Sequence, residues 1–576
     1  MKQINFCIII LSMFLIWGCK NNNPIVGNSM RTVCNPMDIS YRFQLELPSR
    51  REAADPTVLL FKDTYYLFAS KSGGYWYSDD LKDWKFVSTN EIPTEDYAPT
   101  AVGIGDTVYF LASSNHGNIY KSADPKSGKW TVAKHSFEIS LTDPDFFLDD
   151  DNRLYLYWGC SDKTPIYGIE LDYKNGFKPI GVPIGLISAN TKEHGWEVPG
   201  DFNTSYPDAP WIEGAWMNKY DNTYYLQYAG PGTQFKSYSD GVYIAESPLG
   251  PFRLAEHNPV ACKPEGFVSG AGHGSTFADK YGNFWHVGTI TISTKHMFER
   301  RLGLFPGFFD CDGTLYIDTR FGDYPMIIPD RRIMNAEEIF LGWMLLSYKK
   351  NVTVSSFAEG HSPDLMTDED IRTYWSAQSG NPNEWSVVDL GELRDVYALQ
   401  INFAEHLTTV LGRKEGLCYQ YIIESSPDKQ NWKMLLDKSK NQLDNSHDYT
   451  QLEQKVNCRY LRITNKRVAD GNFALSGFRV FGKGSGLKPE PVNQLEIDRK
   501  PENRRRVKLT WMKSEQATGY NICYGSNKNK LYNNYQVYGD TSVIINNLNV
   551  KQAYFFTIRS FNENGITTTK LVKIAK

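Results

Sequence analysis

The sequence predicts an all-β chain whose first large domain is a five-bladed β-propeller. Three observations carry that expectation. The 576 residues include 14% aromatics and 45 glycines, a composition suited to short strands joined by many turns. One hairpin pattern recurs five times between residues 55 and 290. The intervals between the repeats, 43, 45, 70 and 60 residues, leave room for four strands each, and a four-stranded sheet repeated radially is a propeller blade.

Ahead of the repeats, Lys2 is followed by an apolar stretch, Phe6–Trp17, shorter than the roughly 20 apolar residues a spanning helix needs. It ends in "LIWGC" (Leu15–Cys19) and turns polar at "KNNNP". This resembles a bacterial lipoprotein signal, which implies cleavage before Cys19 and a lipid on its thiol. Residues 1–19 are then the signal, residues 20–40 a tether, and the body is anchored in the cell envelope, at the outer membrane or cell surface or on a periplasmic face.

The five repeats occupy residues 41–330. They begin "DPTVLLFKDTYYLFAS" at Asp55, "APTAVGIGDTVYFLAS" at Ala98, "DPDFFLDDDNRLYLYW" at Asp143, "EGAWMNKYDNTYYLQY" at Glu213 and "HGSTFADKYGNFWHVG" at His273. The turns fall at Asp63–Thr64, Asp106–Thr107, Asp151–Asn152, Asp221–Asn222 and Tyr281–Gly282, each followed by an aromatic-rich strand. The innermost strands of a propeller run in one direction along the axis, so their first residues gather at one end. Proline after Asp55 and Asp143 is expected to hold each head residue extended. Asp55, Asp143 and Glu213 therefore converge on one pit.

Three acids in one pit cannot all stay ionised unaided, so their pKa values separate. Glycoside hydrolysis requires that separation: one carboxylate activates water and another, still protonated, protonates the departing oxygen. The heads "ADPT", "TDPDFFLDDDN" and "IEGAW", in this order, resemble glycoside hydrolase family 43, five-bladed propellers that hydrolyse with inversion. The resemblance covers about 290 residues. It implies Asp55 as general base, Asp143 as the modulator of the acid's pKa and Glu213 as general acid. Asp145 rivals Asp143, but alternation turns it away from Pro144 and the repeat template aligns Asp143 with the other heads. The Asn-Asp-Pro nucleophile motif of the related sucrose-cleaving propellers is missing from "AADPT", which disfavours a retaining mechanism.

His273, in "GAGHGSTF", resembles the family's axial histidine, which orients the acid or helps hold a central cation through water. Trp211 and Trp216 flank Glu213 and are candidates to stack on sugar rings. The chemistry requires no cofactor. A structural calcium ion on the axis is compatible with these residues, although the sequence has no dedicated oxygen cage for it and no metal ligands are assigned.

Residues 345–483, with "EWSVVDLGELRDVYALQINF" and "CRYLRITNKRVADGNFALSGFRVFG", resemble a discoidin-like (coagulation factor type C) jelly roll. Trp375 and Trp385 fit its core positions. After the linker "GKGSGLKPEP" (Gly482–Pro491), residues 488–576 carry Trp511 in "VKLTWMKSEQATGYNICYG" and Tyr554 in "QAYFFTIRSFNENG". These resemble the core marks of a fibronectin type III sandwich.

A net charge of −4 and the lack of any basic block of five or more give no case for nucleic acid. Beyond Cys7 and Cys19 the cysteines are Cys34, Cys160, Cys262, Cys311, Cys418, Cys458 and Cys523, widely spaced and without a C-x-x-C pair. The expectation is an inverting, exo-acting glycosidase of a Gram-negative glycan degrader, lipid-anchored, with a polysaccharide as its substrate. The resemblance names α-L-arabinofuranose side chains first, with β-xylosides and β-galactofuranosides as alternatives. A non-catalytic glycan-binding surface lipoprotein, or an adhesion protein led by the jelly roll, is the reading of a different class.

Overall fold

The computed structural model describes residues 30–576. The signal, Cys19 and residues 20–29 of the tether lie outside the described residues. No helix among the described residues is long and apolar enough to cross a membrane.

Five four-stranded antiparallel sheets follow one another in sequence order. Their first strands are Thr57–Phe61, Thr100–Ile104, Asp145–Leu148, Glu213–Tyr220 and Gly272–Ala278. Each of these strands neighbours the next, and the fifth packs on the first, which closes a ring with the first strands innermost. Every blade is built from consecutive strands, so no strand is exchanged across the closure. Two side-chain hydroxyls bridge it instead: Val58 N–H donates to Ser275 Oγ at 3.1 Å and Asp55 N–H to Thr289 Oγ1 at 3.0 Å.

The first hairpin turns on Lys62 and Asp63 (φ 49° and 60°), the fourth on Asp221 and Asn222 (φ 46° and 62°). Two left-handed residues in succession match the right-handed twist of the flanking strands, which is why short polar residues occupy these turns. Aromatics fill the space between blades. Between the first two, Phe68 lies 4.8 Å from Tyr75 and 5.3 Å from Phe110, centroid to centroid.

Residues 31–40, expected to be tether, are folded. Thr32–Val33 pairs with Met326–Ile327, Met37 N–H donates to Leu302 O at 2.9 Å, and Met37 and Ile39 are buried in the core of the first and fifth blades. These apolar side chains cover the outside of the ring closure.

The jelly roll is built around two long strands, Trp385–Phe403 and His447–Arg467, each shared between pairing partners along its length. Trp375 sits in its core with Nε1 donating to Ser356 O at 3.1 Å. Trp385 differs from expectation: it opens its strand, is half-buried and lies outside that core. The C-terminal part pairs a three-stranded sheet with a five-stranded one, and Trp511, Tyr520, Tyr554 and Phe556 pack between them.

Buried charges tie the propeller to the jelly roll. Arg51 donates to Glu405 at 2.8 Å and to Asp444 at 2.6 Å, and Arg479 donates to Glu369 at 2.9 Å and to Asp323 O at 2.6 Å. Removing one partner of such a pair leaves an uncompensated buried charge. The C-terminal sandwich docks through Tyr532, stacked on Tyr316 at 3.8 Å, and Tyr535, whose hydroxyl donates to Glu265 at 2.9 Å. The seven described cysteines are all free, and five of them are buried.

Candidate active site

The site is built by one backbone device used at each blade. Asp55, Ala98, Asp143, Gly214 and His273 all adopt left-handed φ, at 51°, 43°, 52°, 62° and 44°. The head residues are therefore not extended, as proline alone suggests. Such a conformation is costly for residues other than glycine and persists where its surroundings enforce it. Here the enforcement comes from the neighbouring blade. Ala98 N–H donates to Ser70 Oγ at 2.7 Å, Asp143 N–H to Ser113 Oγ at 2.9 Å, and His273 N–H to Asp240 Oδ1 at 2.7 Å. Thr289 takes the N–H of Asp55 across the ring closure.

The fourth blade departs from the sequence alignment by one residue. Gly214, not Glu213, occupies the left-handed position there. Glu213 pairs with Ala229 before a register shift, as Gly272 pairs with Thr289 in the fifth blade. A side chain at 214 would collide with His273, since a Cβ would lie 2.5 Å from its Cγ. The acid thus projects from the residue before the head, and glycine makes room for the imidazole.

Asp55 is buried and doubly bound. Arg300 Nη1 donates to Oδ1 at 3.0 Å and Ser70 Oγ to Oδ2 at 2.6 Å. Burial pushes its pKa up, but Arg300, His273 and Ser70 together outweigh burial and hold the carboxyl below its usual range. Arg300 is fixed by a second carboxylate, Glu52, at 2.6 Å. Asp143 has no such cation. Burial foremost, then the charges of Glu213 and Asp55, push it up to about 7 against the pull of His273 and the Gly214 N–H.

Glu213 accepts from the Tyr238 hydroxyl at Oε1 and from Cys160 Sγ at Oε2, the latter at 3.0 Å. His273 Nδ1 lies 3.4 Å from Asp55 Oδ1 and 3.7 Å from Asp143 Oδ2. Burial lowers the pKa of this imidazole, but Asp55, Asp143, Glu213 and Asp240 raise it more, so the ring favours its charged form. The result is one carboxylate held ionised beside an arginine, and a second, Asp143, pushed up in the neighbourhood of Glu213, with carboxylate oxygens of the two within 4.8 Å of each other.

Asp145 lies outside this group. Its Oδ2 accepts the Met217 N–H at 2.8 Å between the third and fourth blades, and burial pushes its pKa to about 7. Trp216 is half-buried with Nε1 donating to Thr276 O at 2.8 Å, so it serves packing between the fourth and fifth blades. Trp211 is 48% exposed. Asp143, Cys160 and Glu213 each offer one donor atom within 4.8 Å of the others. Two carboxylates and a thiol are a poor set for calcium, which takes about six to eight oxygens.

Arg300, Tyr238 and Cys160 are absent from the sequence prediction. A signal existed for Cys160. It ends the second strand of its blade in "YLYWGC", where "YYLFAS" and "VYFLAS" place Ser70 and Ser113, and all three side chains touch an acid of the pit. Arg300 and Tyr238 lie in segments the hairpin template does not reach.

Residues 49–314 match Glycosyl hydrolases family 43, and residues 351–477 match the F5/8 type C domain. Among solved structures, one described as a glycoside hydrolase is 17% identical, with 74% of this chain and 97% of that chain covered and a TM-score of 0.45. An endo-1,4-β-xylanase from Bacteroides thetaiotaomicron is 21% identical, with 50% and 98% covered and a TM-score of 0.40. An α-L-arabinofuranosidase from Clostridium thermocellum is 20% identical, with 46% and 93% covered and a TM-score of 0.35. Comparison with curated proteins gives no match. Residues 49–314 are a domain of glycosyl hydrolases family 43, a family of inverting glycosidases, joined in one chain to an F5/8 type C domain.

Proposed function

We propose that the chain is an exo-acting, inverting glycosidase that releases α-L-arabinofuranose from polysaccharide side chains. In this reading Asp55 is the general base, Glu213 the general acid and Asp143 the modulator of its protonation. One observation carries it: Asp55 is kept ionised by Arg300 at 3.0 Å, while Asp143, without a cation of its own, is pushed up to about 7 beside Glu213. A base ready to take a proton from water thus shares the pit with a carboxyl, Asp143, that is pushed toward keeping its proton, and with Glu213 beside it as the donor. His273, between Asp55 and Asp143, is a positioning residue that keeps the two acids apart.

The family supplies the sugar names; the acids supply only hydrolysis. β-Xylosides and β-galactofuranosides are the alternative substrates. We place the protein at the cell envelope through a lipid on Cys19, with the F5/8 type C domain as a second carbohydrate contact. No cofactor is needed for the reaction, and a calcium ion on the axis would have a structural role only.

The test is a release assay on nitrophenyl α-L-arabinofuranoside, β-D-xyloside and β-D-galactofuranoside, with proton NMR of the first product. Arabinose released as the inverted anomer supports the reading. Release of xylose or galactose instead replaces the sugar. No release, together with glycan binding by the intact chain, replaces the enzyme by a binding protein.

A further inference from the structure

Residues 188–212 connect the outermost strand of the third blade, Lys178–Ile187, to the innermost strand of the fourth, which begins at Glu213. The connection therefore crosses the carboxylate-bearing face from rim to pit. Three large aromatic side chains stand exposed along it: Phe202 at 48%, Tyr206 at 44% and Trp211 at 48%. A run of exposed aromatics on one segment marks a surface that meets a partner.

The segment is held in place. Asn203 Nδ2 donates to Trp196 O at 3.0 Å and Val198 O at 2.9 Å. Arg372 of the jelly roll donates to Asp201 at 2.9 Å. The C-terminal sandwich closes on its outer part, where Asn546 Nδ2 donates to Phe202 O at 2.8 Å and the Arg505 guanidinium covers the Tyr206 ring at 3.8 Å. Beside Phe202 a cavity of about 500 Å³ opens between this segment and the sandwich, lined by Tyr535, Arg506, Lys508 and Asn546 among others.

We propose that Trp211, Tyr206 and Phe202 form a platform for the sugar chain on the departing side of the scissile bond. The platform ends in the cavity against the C-terminal sandwich. This rests on Glu213 as the proton donor. A donor must reach the glycosidic oxygen, so the departing chain leaves the pit past Glu213, and the residues leading to Glu213 are those of this segment. Flat aromatic faces suit the C–H faces of sugar rings, while Arg506, Lys508 and Asn546 offer donors to hydroxyl or carboxylate groups. The occupant is the polysaccharide whose terminal sugar fills the pit, because platform and pit are continuous along one stretch of chain. The C-terminal sandwich is then part of the substrate site.

The experiment compares the intact chain with Phe202→Ala/Tyr206→Ala and with Arg506→Ser/Lys508→Ser. The substrates are nitrophenyl glycosides and arabinan- and xylan-derived oligosaccharides of increasing length. The platform predicts that kcat/KM on long oligosaccharides, relative to the nitrophenyl glycoside, falls about tenfold in the aromatic variant, through KM and increasingly with length. The cationic variant is affected only at the longest lengths. Equal ratios in variants and parent at every length overturn the platform. A parent inactive on every glycoside overturns the proposed function instead. Calorimetry of the longest oligosaccharides with the parent and the aromatic variant then decides the platform: weakened binding supports it, and unchanged or absent binding overturns it.

Discussion

Gly214 faces the imidazole of His273 so closely that a Cβ on it would lie 2.5 Å from the ring. Its φ of 62° is also one that side-chain-bearing residues adopt at a cost of about 1–2 kcal/mol. Gly214→Ala must therefore move His273, which stands 3.4 Å from Asp55. The expected result is a fall in kcat of tenfold or more with a modest loss of thermal stability, measured by steady-state kinetics and circular dichroism. A variant with normal kcat would show that the position of His273 is unimportant.

The same contact shows what the sequence could and could not disclose. The repeated hairpin located Asp55, Asp143 and His273 because each occupies the same left-handed position in its blade. Glu213 was found from the same template, yet one residue out of register, because the bulge that begins its strand leaves no mark in the apolar pattern. Proline suggests extended heads, but hydroxyls and a carboxylate from neighbouring blades fix a different conformation; Ser70 and Ser113 recur at one position of the repeat, yet nothing in the repeat shows that they bind the next blade's N–H. Arg300 and Tyr238 reach the pit from the third strand of a blade and from the loop before one, which a template of first hairpins cannot register. Trp216 and Trp385 illustrate the limit for aromatics: a residue type does not show which face it takes. Residues 31–40 looked like tether because their apolar side chains are few, but Met37 and Ile39 suffice to dock them.

Asp143 and Asp145 are separated by substitution. Asp143→Asn leaves Asp55 and Glu213 in place but removes a negative charge beside them. The basic limb of the pH–rate profile should move to lower pH and kcat at pH 7 should fall.

Asp145→Asn should leave the pH–rate profile unchanged and alter stability instead. In the folded protein Asp145 keeps its proton up to about pH 7, whereas an unfolded chain releases it near about 3.9. Folding retains that proton, so stability falls as pH rises from about 4 to about 7. Asp145→Asn should remove this part of the fall and raise Tm at pH 8 by a few degrees, read by thermal melts across pH. Loss of activity in Asp145→Asn with a normal Asp143→Asn would reverse the assignment.

Cys160 Sγ donates to Glu213 Oε2 at 3.0 Å, a contact that would position the acid in the proposed reaction. Ser70 and Ser113 hold the equivalent place beside Asp55 and Asp143. A thiol is a weak donor, so Cys160→Ser should stabilise the Glu213 carboxylate and move the basic limb to lower pH, whereas Cys160→Ala should not. Indistinguishable pH profiles for Ser and Ala would leave the thiol with packing alone.

Anchoring is tested at Cys19. If Cys19 carries a lipid as proposed, Cys19→Ser should release the protein from membranes with unchanged specific activity, because the lipid chains would supply the affinity. Fractionation followed by immunoblotting decides it, and a variant that stays with the membrane would end the lipoprotein reading.

The roles of the two reacting acids are tested most directly by how Glu213→Gln responds to the leaving group, with Asp55→Asn as reference. Proton donation is worth typically 10²–10⁴-fold, and nitrophenolate departs with little need of it. Glu213→Gln should therefore lose about that factor in kcat/KM on natural oligosaccharides and far less on nitrophenyl glycosides, while Asp55→Asn loses activity on both alike. An equal loss on both substrates in Glu213→Gln would contradict its role as the acid, and with it the assignment of the pit.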